Sequence, residues 1–108
     1  MSTSGKSPRP APLGEKALRE FLSLAIEQGY YRESQHAEKD HPERNISVDD
    51  VVHGLERSGW KFGRKPVWDT EHQEWKYYID TTDIEGDRLV VVLKIKPQYK
   101  RFEVITRW

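Results

Sequence analysis

Hydrophobic positions are unevenly spread along the chain, and the densest run lies near its end. Leu89, Val90, Val91, Val92, Leu93 and Ile95 stand together, interrupted only by Lys94. β-branched side chains suit a pleated, half-buried surface better than a helix, so residues 89–95 are a predicted strand. Residues 96–100 form a polar break containing Pro97. The pattern then alternates, with Phe102, Val104, Thr106 and Trp108 on one face and Arg101, Glu103, Ile105 and Arg107 on the other. Two strands joined by a few residues predict an antiparallel hairpin, on which the remaining apolar surface must pack.

Upstream, residues 74–81 also alternate, with Trp75, Tyr77 and Ile79 set against Lys76, Tyr78 and Asp80. Residues 60–64 begin a strand that 66–68 continue, residues 70–74 (TEHQE) read as the hairpin turn, and residues 84–86 turn the chain into the final ribbon. Leu18, Phe21, Leu22, Ala25 and Ile26 recur at helical spacing over Glu15 to Gln28, with Gly29 just past the last turn. Tyr30 and Tyr31 follow as a connector. Ser34 would cap a short helix over residues 35–41, stopped before Pro42. The stronger start is Ser47, with Asp50 three residues on to return a hydrogen bond, Val51, Val52 and Leu55 on one face, Arg57 in the last turn and Gly59 as the stop. That predicts a helix over residues 48–58. The sum is an α+β fold with two main N-terminal helices packed on a three- to four-stranded antiparallel sheet.

Residues 1–13 differ in kind, being rich in Ser and Pro, with Pro8, Pro10 and Pro12 alternating. Such a stretch buries too little to offset the entropy of ordering it, and reads as a disordered tail ahead of a single domain over 14–108. A docking role for the prolines is the alternative.

Composition narrows the function classes. Charged residues make up 33% of the 108 and hydrophobic ones 35%, so four Trp, five Tyr and three Phe must supply much of a small core. Lys plus Arg and Asp plus Glu balance at 18 each. No global field then draws the chain to nucleic acid, and any such site needs a local basic patch. The absence of cysteine excludes disulfides and thiolate metal ligands. With no long apolar run and no apolar signal core, the expectation is a soluble cytoplasmic protein without a membrane partner.

Two stretches carry candidate chemistry. In SQHAEKDHPERNIS, His36 and His41 lie near Glu38, Asp40 and Arg44. Histidine takes up a proton near neutral pH and arginine clamps phosphate through two hydrogen bonds. Together they suit phosphodiester cleavage, with His36 as general base or acid and Arg44 holding the developing charge. The plainer reading is a solvated charged connector. A metal site built on His36, Asp40 and His41 is a weaker alternative, and no cofactor is expected. His53 and His72 read as structural or solvent-facing. The second stretch is basic: Lys94, Lys96, Lys100, Arg101 and Arg107, joined by Lys76 and Tyr78, would cradle RNA on a sheet surface. Here the plainer reading is edge-strand lysines that keep the sheet soluble.

The run HAEKDHPERNIS, then DVVHGLERSG, YYID, GDRLVVVLKI and a closing EVIT resembles the bacterial domain-of-unknown-function family numbered 4258. His36 matches that family's opening histidine, Arg44, Ile46 and Ser47 its helix entry, Asp50, Val51 and Leu55 that helix, and Val104, Ile105 and Thr106 its last strand. Lys39 and Asp40 depart from it, where an arginine and a methionine are usual. The resemblance implies a RelE/barnase-like layout, close to the RelE- and BrnT-type toxin ribonucleases. It further implies a metal-independent endoribonuclease acting on RNA or the ribosome, with an antitoxin partner. His36, Arg44, Lys94 and Arg107 would then carry the reaction. The alternative is a non-catalytic protein-binding module of the same fold.

Overall fold

The computed structural model describes residues 10–33, 46–57 and 59–108. Helix α1 is Glu15–Gln28, ended by Gly29 in the left-handed region (φ 75°), whose N–H returns to the carbonyls of Ala25 and Ile26. Glycine adopts that conformation without steric cost, which is why the helix stops there. Leu18, Leu22 and Ala25 form its buried stripe. Helix α2 is Val48–Glu56. The Ser47 hydroxyl accepts from the Asp50 N–H at 3.2 Å, and the Asp50 carboxylate accepts from the Ser47 N–H at 3.0 Å. This reciprocal cap holds the Asp50 carboxyl below its usual value, chiefly through the Ser47 N–H. The helix ends at Glu56, one residue before Arg57, which is extended.

The strands are β1 (Tyr31–Glu33), β2 (Lys61–Asp69), β3 (Glu74–Thr82), β4 (Arg88–Lys96) and β5 (Arg101–Arg107). They form one sheet in the order β1-β5-β4-β3-β2. The fold is therefore α+β, with both helices packed on a mixed sheet. Three to four antiparallel strands were expected and five are present, because Tyr31, read as connector, opens a strand parallel to β5. Three residues are too short to show a period. The Tyr31 ring stacks on Phe102 at 5.5 Å, which sets the strand's position.

Trp60, Tyr77 and Phe102 are fully buried with Leu18, Leu22, Val51, Ile79, Leu89, Leu93 and Val104, so aromatics do fill the small core. The β4–β5 alternation breaks once. Val92 pairs with Thr106 and Leu93 with Val104, leaving Ile105 as an extra residue in β5. A bulge of this kind shifts side chains beyond it to the other face. Phe102 and Val104 therefore share the helix-side face with Arg107, which pairs with Val91, and not with Thr106. The lysines read as edge residues sit on β4, the middle strand of the sheet.

Candidate functional site

The β2–β3 hairpin concentrates the polar and aromatic chemistry at one end of the sheet. Trp68 faces Trp75 and Asp69 faces Glu74 across the two strands, with residues 70–73 as the turn. The turn closes with Gln73 at φ 55°, and the Asp69 carboxylate accepts from the backbone N–H groups of Glu71 and His72 at 3.0 and 3.2 Å. Period-two alternation sends Asp69 and Glu74 to the sheet face away from the helices and Trp68, Trp75 and Tyr77 to the helix side.

On the face away from the helices lies an ion network. Lys94 Nζ donates to Asp69 at 2.9 Å and lies 3.2 Å from Glu74. Lys96 bonds the same Glu74, and His72 Nδ1 lies 2.9 Å from Asp69. Hydrogen bonds from Lys94, then from His72, hold the Asp69 carboxyl far below the usual carboxylate range. Burial works to lower the Lys94 ammonium, but the hydrogen bonds and charges of Asp69 and Glu74 outweigh it and raise its value. For Glu74, burial is likewise opposed, and outweighed, by Lys96 and Lys94.

The depressed Asp69 value has a direct consequence for stability. A carboxyl whose folded value lies below its unfolded value of about 4 stabilises the fold fully above that unfolded value and loses the contribution as pH falls toward the folded one. Stability should therefore decline steadily from about pH 5 to pH 2. Asp69→Asn, which keeps an acceptor for the turn, should flatten that decline when urea midpoints are compared across the range. An equal slope in both proteins would remove Asp69 from the account.

Arg107 has a separate environment. Its guanidinium bonds Glu33 of β1 on the helix side of the sheet. The expected basic cluster is thus divided: Lys94 joins Lys96, while Arg107 lies on the opposite face. Lys76 pairs with Lys94 across β3 and β4, and Arg64 lies over the Tyr78 ring at 5.0 Å. His36, Arg44 and His41 lie outside the described residues, as does the helix expected over 35–41. Among the described residues no group of three or more His, Cys, Asp or Glu side chains is arranged to hold a metal ion.

A groove of about 400 Å³ opens on the helix side at the hairpin end. Trp68, Trp75, Tyr77 and Ile95 form its apolar floor, and Pro97 and Gln98 its rim. The two tryptophans meet edge to face, 5.1 Å between centroids. One wall is built by residues 10–13, part of the segment read as tail. Trp75 Nε1 donates to the Pro10 carbonyl at 2.7 Å, and the Leu13 N–H donates to the Tyr77 hydroxyl at 2.9 Å. Burial raises the Tyr77 phenol above its ordinary value. Sequence reasoning placed these aromatics on a strand face only. Their meeting with the prolines spans more than sixty residues and leaves no local periodic signal.

No family model, curated protein or solved structure matches this chain. None of the described helices is long and apolar enough to cross a membrane.

Proposed function

We infer that the chain is a non-catalytic protein-binding module whose contact surface is the aromatic groove at the β2–β3 end. The observation that carries this reading is the groove itself: a concave, aromatic surface with an indole N–H and a phenol placed to orient backbone. Volumes of about 300–1,000 Å³ with few oriented polar groups are the usual form of a binding site. The cations support the same reading. A phosphate approaching Lys94 would have to displace Asp69 and Glu74, and one approaching Arg107 would have to displace Glu33. Carboxylates already in place repel such a ligand.

The test is selection of displayed random peptides on the full-length protein. Enriched peptides should lose most of their binding when the groove carries Trp68→Ala. Enrichment of nothing that responds to Trp68 would sink the module reading.

A metal-independent ribonuclease of RelE/BrnT type, inhibited by an antitoxin, is the second proposal. It is supported by the α+β layout, with both helices packed on the sheet, and takes His36 and Arg44 as its reacting groups and Lys94 and Arg107 as supporting cations. Its test is RNA cleavage by the purified protein in chelator, with and without ribosomes. Cleavage that disappears in folded His36→Ala would establish it over the module reading, and no cleavage under either condition would remove it.

A further inference from the structure

The segment that walls the groove has the chemistry of a ligand. Pro10 and Pro12 each fix their own φ near −65°, and a proline also keeps the residue before it, here Ala11, out of the helical region. Such a segment is extended before it docks and loses little entropy on docking. Pro10 and Pro12 carry no N–H, so the segment's carbonyls outnumber its donors as groups a receptor can read. Trp75 reads one of them: its indole N–H points at the Pro10 carbonyl at 2.7 Å, while the Tyr77 hydroxyl accepts from the Leu13 N–H. Aromatic rings beside a proline-rich strand, with a tryptophan N–H bonded to its backbone, are the general physical basis on which proteins bind polyproline segments. Neither bond uses a side chain of the segment, so neither requires that the segment belong to this chain.

Among the described residues, 10–12 remain largely exposed, and the groove beside them extends along Ile95 and Pro97. Leu13 joins Gly14, the N-cap of α1, without any linker. The tether is too short to carry the segment into the groove of a second molecule without bringing the two α1 helices together. It does keep the segment close to its own groove.

We propose that the groove is a receptor for an extended proline-rich segment of a partner protein, with residues 10–13 as a resident competitor that the partner displaces. The proposal rests on the binding-module reading and names the class of its ligand. A tethered competitor acts at an effective concentration of about millimolar, so a free peptide meets a groove that is mostly filled. Weakening the resident segment should therefore strengthen binding in trans.

The probe is a synthetic peptide copying residues 7–14, SPRPAPLG, added to the full-length protein while the Trp75 indole N–H resonance is followed. Wild-type protein should respond weakly. Pro10→Gly with Pro12→Gly, which returns conformational freedom to the resident segment, should bind the peptide about tenfold more tightly. A peptide with alanine at every proline should not bind either protein. Should the double variant fail to fold, Trp75→Phe in the otherwise unchanged chain serves instead, with the Trp68 indole N–H resonance as the probe: it keeps a ring at position 75 but removes the donor. Faster exchange of the Leu13 amide together with loss of the peptide response would then support the proposal. No saturable response in either protein at millimolar peptide, or equal binding of the alanine peptide, overturns it. A concentration-dependent dimer formed by exchange of residues 10–13 overturns it in favour of a second copy as occupant. Groove-dependent peptides without proline from the displayed library would sink this inference while leaving the module reading in place.

Discussion

Gly54→Ala should destabilise the protein by about 2 kcal/mol, against the usual sign for this change inside a helix. Replacing an interior glycine with alanine ordinarily stabilises a helix by roughly 0.5–1 kcal/mol. At this position a Cβ would stand 2.7 Å from Thr81 Cγ2 and 3.0 Å from the carbonyl oxygen of Thr82. Neither neighbour can retreat cheaply. Thr82 contributes backbone to β3, and the Thr81 hydroxyl is bonded to the Gly54 carbonyl at 2.8 Å within the buried layer. Relieving the contact means lifting α2 from β3, at an overpacking cost of about 1–3 kcal/mol, plus about 1 kcal/mol for the hydrogen bond. These together exceed the propensity gain. Gly63→Ala is the control, because its nearest contact would be an ordinary 3.6 Å to Asp80 Cβ. Urea unfolding of both variants checks the expectation, and a Gly54→Ala midpoint at or above wild type would show that α2 is free to shift.

The close approach at Gly54 also shows which parts of the fold were legible in the sequence. The helices were, because their signals are local: five apolar residues at helical spacing and Gly29 for α1, Ser47 and Asp50 for α2. So were the two hairpins, whose strands alternate or run apolar on either side of short turns. Gly54, by contrast, sits among helix formers and carries no mark that a β-strand passes beneath it. Strand β1 escaped notice because the sequence Tyr31-Arg32-Glu33 has no period, and its partner lies some seventy residues away. The bulge at Ile105 was invisible for a related reason. A strict period of two assigned Arg107 to the wrong side, and one unpaired residue reversed it.

The site followed the same division. Lys94 was singled out as a cation, but not the carboxylates that hold it, since Asp69 lies twenty-five positions away. A signal was available: Trp68-Asp69 and Glu74-Trp75 are near mirror images about the turn, which places the two acids opposite each other once the hairpin is drawn. Pairing them would have concentrated two negative charges beside the β4 lysines and weakened the case for an RNA-binding face. The groove needed more than the hairpin, because its occupant arrives from the other end of the chain. The prolines read as a disordered tail, with docking only as the alternative, and nothing in the sequence indicated a receptor inside the same molecule.

Removal of Arg107 is expected to give the larger loss, about 3 kcal/mol for Arg107→Met, with most of it recovered in the double variant Glu33→Leu/Arg107→Met. The two side chains are only 9% and 11% exposed, so each charge depends on the other in place of water. Methionine keeps much of the arginine's length and apolar contact but leaves the Glu33 carboxylate without this cation. Breaking a buried pair from one side costs about 3–5 kcal/mol because of that stranded charge, whereas replacing both members with apolar groups is often neutral. The cost should fall mainly on β1, which is three residues long and held to β5 by its parallel ladder, the Tyr31–Phe102 stack and this pair. Hydrogen exchange at residues 31–33 should accelerate in Arg107→Met and return toward wild type in the double variant. Urea unfolding of the wild type, both single variants and the double closes the thermodynamic cycle. Strictly additive losses would mean that Glu33 and Arg107 are not coupled, and that β1 is held by its ladder, the ring stack and the Arg32–Glu103 pair.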